Sequence, residues 1–441
     1  MPLYIRKRSK PNNPHSMNAA NRIFPWMLAL LPLWLLPSCK EDSLDPEGIW
    51  FISADEDYRT TAQEALINME DYDTVHFRAG VFEFNTQLSV SNKTGIVIRG
   101  EGKDVTILDF SAQLSGAQGV LATDMVDIIF ADLTVRDMAG DGIKVKDSDG
   151  VSFFRVGAVY TTPLTSANGA YGLYPVTSED VLIDGCYVRG ASDAGIYVGQ
   201  SRQVHVRNCY VEECVAGIEV ENCINADVYG NTATKNTGGI LVFDLPSLPV
   251  IKNGNTTRVF DNDLINNTQG NFAPPGNAVA NIPEGTGIMI LAYDRCEVFN
   301  NRITGCNTLG IGVVSYLTLE VLDPGSSYDD PAYDPYVYNI NIHDNTFNRS
   351  PGYPFAGVLG LTLQAVYTAN SIAPDIVLDG SFNASLPEAD QKVCVYDNGG
   401  AQVANVDAVN EFANVIPNPT SADCTLSPLP ETAIDAPLLP Y

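Results

Sequence analysis

The chain has 441 residues, with 53 acidic against 25 basic side chains and a formal net charge of -28. An excess of negative charge on this scale keeps a surface solvated and repels phosphate backbones, which excludes nucleic acid as a partner class. At ~150 residues per domain the length alone would predict about three domains, a prior that an internal repeat overrides.

Arg6, Lys7, Arg8, Lys10 and Arg22 lead into an apolar run over residues 23–36, which closes with Leu36-Pro37-Ser38-Cys39. A basic lead, a short apolar core and a small residue before the cut are the parts of a secretory signal. The run is too short to span a bilayer comfortably. The expectation is a signal peptide over residues 1–38, starting at Met1 or Met17, a lipid on Cys39, and a tether over residues 39–57. Several acyl chains on one cysteine hold a protein at a membrane far better than a single chain does. Next, Thr61-Ala62-Gln63-Glu64 predicts the start of a short helix with a reciprocal capping pair. Such a helix would cover an open sheet end that otherwise exposes unpaired backbone.

From there one phrase recurs: Gly172-Leu173-Tyr174, Gly195-Ile196-Tyr197, Gly217-Ile218-Glu219 and Gly239-Ile240-Leu241, at steps of 23, 22 and 22 residues. It extends upstream to Gly119 and Gly142 and downstream to Gly287 and Gly310. A period in the low twenties is one coil of a solenoid and too short for a helical hairpin repeat. Ile143, Val145, Ile196, Val198, Ile218, Val220, Ile240 and Val242 alternate with other residues, and period two means strand. The fold class is therefore all-β, a solenoid over residues 58–398 with an N-terminal capping helix, and its columns resemble those of a right-handed parallel β-helix. Asn208, Asn231, Asn262, Asn301 and Asn345 recur in matching contexts and predict an asparagine ladder along one corner.

Extra residues in a solenoid become loops beside the coil and commonly wall a groove. Residues 160–169 are one such excess, and residues 323–335, rich in Pro and Asp, are another. The step of 48 from Gly239 to Gly287 reads as two coils with a loop around residues 271–276. Residues 399–441 lose the pattern and read as a cap or tail. Stacked one coil apart, Cys186 and Cys209 are near enough to bridge and equally plausible as buried thiols; Cys394 and Cys424 would pin the C-terminal segment. The lack of CxxC spacing argues against zinc.

Between the inward residues run two outward columns: Lys144, Tyr174, Tyr197, Glu219, Leu241, Met289, Gly312, and Lys146, Val176, Gly199, Glu221, Phe243, Leu291, Val314. Three steps of ~4.8 Å put Lys144 about 14 Å from Glu219, the length of a few sugar units. Tyrosine faces cover the apolar side of a pyranose while the hydroxyl makes a directed hydrogen bond. The candidate catalytic residues are Lys144, Tyr197 and Glu219, with Lys146, Tyr174 and Asp244 as substrate-binding residues. Glu219 and Glu221 leave one face of one strand and are candidates to chelate Ca²⁺. The apolar Leu241, Phe243, Met289 and Leu291 would form a docking patch for a partner protein unless covered, and residues 245–249 and the long loop before Gly287 are their natural cover. Arg202, His205 and Arg207 alternate outward on the next strand and read as a solvated basic stretch.

Gly169-Ala170-Tyr171-Gly172-Leu173-Tyr174-Pro175, Ser192-Asp193-Ala194-Gly195-Ile196-Tyr197-Val198 and Gly238-Gly239-Ile240-Leu241-Val242-Phe243-Asp244 carry a resemblance over residues 61–357. They resemble a bacterial family of parallel β-helix repeat lipoproteins within the pectate-lyase-like superfamily. The superfamily implies a polysaccharide partner, in particular an acidic, uronic-acid glycan, and lyase or C5-epimerase chemistry. The lipoprotein family implies an outer-membrane anchor in a Gram-negative bacterium and a second exported protein as neighbour. Lys40-Glu41-Asp42 resembles the surface-export signal of such lipoproteins. Three departures stand against the enzyme branches: the Asp-Pro-His-Asp signature of the epimerases is absent, no lysine occurs between Glu221 and Lys235, and the outward columns hold no aspartate.

Overall fold

Each glycine phrase folds into one strand of a parallel stack. The computed structural model describes residues 48–322, 324–350 and 355–439; the signal, Cys39 and residues 39–47 of the expected tether lie outside them. Successive coils supply strands in turn to three sheets of twelve, twelve and ten strands. The first sheet runs from Ile49–Ile52 to Val393–Tyr396, the second from Thr86–Ser91 past Ile376–Leu378 to Val403–Asn405, and the third from Gly80–Glu83 to Thr346–Asn348. Among the described residues the pairing is parallel except where Val403–Asn405 meets Ile416–Pro417. The alternating set from Ile143 to Val242 is fully buried inside the coil. Register then aligns the outward residues, as with Tyr197 opposite Glu219 and Glu219 opposite Leu241.

Several expectations are corrected. Ile49–Ile52 is the first strand of the first sheet, not tether, because Ile52 reaches the core. Helix α1 spans Tyr58–Asn68, so Thr61 lies inside it, and its hydroxyl donates back to the Asp57 carbonyl at 2.7 Å where the capping pair was expected. α1 buries Ala62, Ala65 and Leu66, while Gln63 meets both the N–H and the C=O of Ser89 at 2.9 Å. A side-chain amide thus satisfies the free edge of the second sheet. The 48-residue step is a single coil, since Gly238–Phe243 pairs directly with Thr286–Leu291. Its surplus leaves as two loops, residues 244–254 and 266–285. Cys186 and Cys209 are buried free thiols, and Cys394 and Cys424 are bridged.

The asparagine ladder exists, shifted at its start. Asn231, Asn262, Asn301 and Asn345 each pass a side-chain N–H to the amide oxygen of the next asparagine at 3.0 Å, and Asn398 ends the series as an acceptor. Asn208 stands one residue before the ladder, in the left-handed corner at φ 54, aligned with Gly230 and Asp261; Cys209 occupies the ladder position and donates its backbone N–H to Asn231. A second ladder, Asn236 to Asn267, runs along another corner. Asn262 accepts the N–H and amide of Asn231 and donates to Val228 and Asn301. An Asn262→Leu change strands these buried groups at ~1–3 kcal/mol each. A urea midpoint lowered by the equivalent of about 3 kcal/mol is expected, and an unchanged midpoint would deny the ladder any role in stability.

Past the disulfide the chain does not dangle. Residues 427–439 run back across the outer face of the first sheet as a strap. Leu429 N–H donates to Glu297, Thr432 N–H and hydroxyl to Asp227, Asp435 N–H to Asp180, and the Ser152 hydroxyl to the Pro437 carbonyl. Ile434, Ala436 and Leu439 pack on an apolar cluster of Val97, Ile129, Ala131, Phe154 and Leu182. His205 is buried beneath the strap, with Nε2 2.9 Å from the Thr432 carbonyl, so the solvated reading of that strand is corrected at its centre. A stack of near-coplanar rings flanks it: Tyr229, Phe260, Phe299, His343 and Tyr396, at 4.8 to 5.3 Å between neighbours.

Candidate functional site

The two outward columns lie side by side on the second sheet. At their N-terminal end Lys144 is half-buried, with Nζ 4.3 Å from the Tyr174 ring centroid. Burial lowers the Lys144 pKa, and Asp141 opposes the shift. Lys146 is exposed and paired with Asp147 at 2.7 Å. Three tyrosines then close on one another, with ring centroids 4.5 Å apart for Tyr171 and Tyr174, 4.4 Å for Tyr171 and Tyr197, and 5.0 Å for Tyr174 and Tyr197. Tyr197 is only 5% exposed and donates its hydroxyl proton to Glu221 Oε1 at 2.7 Å.

Beyond the tyrosines the face turns acidic and dry. Glu219 is 2% exposed, and among the described residues its carboxyl accepts no hydrogen bond and makes no ion pair. Burial, then the charges of Asp193 and Glu221, push its pKa well above the usual carboxylate range. Glu221 is raised to about 7 by burial, against the pull of the Tyr197 hydroxyl. Asp193 is raised to about 6, again by burial first, although Asn277 donates to it at 2.8 Å. The three titrate as one group, because a charge on any of them disfavours charge on the others.

One sequence expectation fails here and one conditional expectation is resolved. Asp244 does not line the face: it is sealed beneath the covering loops, with Oδ2 accepting the Gly254 N–H at 2.6 Å and Oδ1 without a partner. The apolar patch is covered, as expected of the loop before Gly287: Leu241, Phe243, Met289 and Leu291 are buried in a second core outside the coil, under Val279 and Ile282 of that loop, Tyr316 of helix α2, Tyr316–Leu322, and Leu359, Leu363 and Val366 of helix α3, Gly357–Asn370. Asp193, Tyr171 and Asn277 were missed. Asp193 had a readable signal, a charge two residues before the repeated glycine where equivalent coils carry Gly140, Ala170 and Val215. Asn277 had none, since a long loop's landing point is not written in a repeat. Among the described residues no group of three or more His, Cys, Asp or Glu side chains is arranged to hold a metal ion.

Residues 94–254 match the family described as a right handed beta helix region. The chain is a right-handed parallel β-helix. No curated protein matches its sequence. Among solved structures the β-helix is similar to the A-module of mannuronan C-5 epimerase AlgE4 from Azotobacter vinelandii, at 13% identity and TM-score 0.42 over 68% of this chain and 86% of that one. PfbA, a surface adhesin of Streptococcus pneumoniae, matches at 10% identity and TM-score 0.43 over 74% and 80%. A DFA-IIIase from Arthrobacter chlorophenolicus A6 matches at 9% identity and TM-score 0.46 over 76% and 93%. Likenesses this distant bring no activity to the β-helix, whose site must be argued from its own residues.

Proposed function

We propose that this β-helix is an exported, lipid-anchored protein that binds a polysaccharide on the outer face of its second sheet and processes it by acid–base chemistry at Glu219. One observation carries the reading: an almost wholly buried carboxyl without a hydrogen-bond partner among the described residues, set beside Glu221 and Asp193. A carboxyl kept neutral near pH 7 is what an acid catalyst at a glycosidic oxygen requires, and a second carboxyl of lower pKa serves as base. Glu221, held by Tyr197, fills that second role. Tyr171 and Tyr174, half-exposed, offer the surface along which a sugar reaches the pair.

Export and anchoring are supported by the basic, apolar and cysteine-ended leader and by the Cys394–Cys424 disulfide, which suits an oxidising compartment outside the cytoplasm. The outer membrane of a Gram-negative cell is the matching location. A uronic-acid substrate is supported by Lys144 and Lys146 alone, and Lys146 already has Asp147. Calcium would be offered Glu219 and Glu221, whose raised values come from burial and from neighbouring carboxylates and would fall beside a bound cation.

Calorimetric titration of the purified protein against alginate, pectate, and cellulose- and chitin-derived oligosaccharides, with calcium or with chelator, tests this. Binding of one class, with product formation lost in Glu219→Gln while binding is retained, is the expected result. Silence across all four classes removes the glycan reading, and unchanged turnover in the variant removes Glu219 from it.

A further inference from the structure

The outward columns change character along the solenoid axis. In the coils of Thr86–Ser91, Ser115–Thr123, Asp141–Lys146 and Tyr171–Val176, the column Ser89, Leu121, Lys144, Tyr174 is open or half-open to solvent throughout. One coil later the same column is shut: Tyr197 is 5% exposed, Glu219 2% and Leu241 0%. The neighbouring column shuts one coil sooner, from exposed Lys146 to Val176, Glu221 and Phe243 at 8%, 7% and 1%.

What shuts it is the loop over residues 266–285. Asn277 ties that loop to Asp193, Asn271 Nδ2 donates to the carbonyls of Val279 and Ile282, and Val279 and Ile282 sink into the second core. Helix α3 packs behind. At the other end of the open stretch lies a hollow of about 380 Å³ bordered by Ser89, Ser91, Leu121 and Thr123 on the sheet and by Gln63 and Ile67 of α1. The open stretch is therefore bordered by α1, with Ile67 exposed, at one end and walled by the loop at the other, and the carboxyls stand at the wall.

We infer that the open face is a one-ended groove, so that the β-helix takes the terminus of a glycan chain and acts there, not on interior units. The inference rests on the glycan reading and goes beyond it by naming which part of the polymer is recognised. Four coils at ~4.8 Å give three steps, about 14 Å, between the hollow and Tyr174, enough for a few sugar units. A chain lying across the sheet interior would have to continue through Asn277, Val279 and Ile282. A chain end needs only to abut Tyr197, the register neighbour of Glu219 and the hydrogen-bond donor to Glu221.

Stoichiometry reads the difference. Trimers, hexamers and long polymers of each of the four glycan classes are titrated into the purified protein, and the number of proteins bound per chain is measured by calorimetry and sedimentation. A terminus-binding groove gives one protein per chain at every length, with affinity that stops rising once the open coils are filled, and one short product from the first turnovers. A count that grows with polymer length, or a mixed ladder of early products, overturns the inference while leaving the glycan reading intact. No binding by any glycan overturns both.

Discussion

The Glu219→Gln variant is expected to unfold at a temperature a few degrees above the parent at pH 8 and at the parent's own temperature at pH 4. Asp193 is moved from 3.8 to about 6, Glu221 from 4.5 to about 7, and Glu219 is raised in the same direction. A carboxyl whose folded pKa lies above its unfolded value binds more protons folded than unfolded between the two. Stability from the cluster is therefore complete below about pH 4 and is lost as pH rises through about 6 and 7. A tenfold change in proton affinity corresponds to about 1.4 kcal/mol, so the contribution of Asp193 alone is on the order of 3 kcal/mol. An amide at 219 removes one charge from the cluster and relieves the other two. Thermal unfolding followed from pH 4 to 8 in parent and variant isolates this, since carboxylates elsewhere with depressed values, such as Asp109, contribute equally to both. Parallel curves for the two proteins would show that Glu219 is not held neutral by its surroundings.

Asp227→Ala is expected to cost about 3–5 kcal/mol, as breaking a buried ion pair from one side does. Asp227 is 1% exposed and takes Arg258 through both carboxylate oxygens, with Nε at 2.9 Å, together with the N–H and hydroxyl of Thr432. Its loss leaves the Arg258 guanidinium, itself largely enclosed, without its hydrogen-bonded counter-charge, with only the carboxylates of Glu431 and Glu297, not hydrogen-bonded to it, acting on it. Two readouts should move together: the urea midpoint falls, and the Thr432 amide loses its hydrogen-exchange protection. A midpoint shift below about 0.5 kcal/mol, the scale of an ordinary surface change, would mean that the strap is held by its apolar contacts alone.

The coil was legible because it is local. Ile196, Val198, Ile218 and Val220 write their own period, and once the period is known the alignment of Tyr197 with Glu219 follows without a structure. The fate of that face was not legible. Whether Glu219 meets solvent depends on where residues 266–285 and helix α3 come to rest, and neither shares the repeat. Hence the columns were right while their exposure was wrong from Tyr197 onward, and Asp244, placed on the same strand's continuation, turned out sealed beneath its own loop. The ladder shows a smaller failure of the same kind. Asn208 and Asn231 look equivalent by residue type, yet the Val206-to-Cys209 and Val228-to-Asn231 spacings put Cys209 in the ladder and Asn208 at the corner.

A solenoid ordinarily frays: each coil touches only its neighbours, so its ends unzip at little expense to the middle. The strap changes that behaviour, because residues 427–439 join the coil of Glu297 to those of Asp227, Asp180 and Ser152 across more than a hundred residues of sequence. Unwinding the C-terminal coils first drags the strap off the N-terminal ones, and loosening the latter frees the strap. The molecule is thus made to open as a whole, in the manner of a coiled spring with its tail tied back along its own length. It also completes itself late, since the tie is synthesised after every coil it crosses.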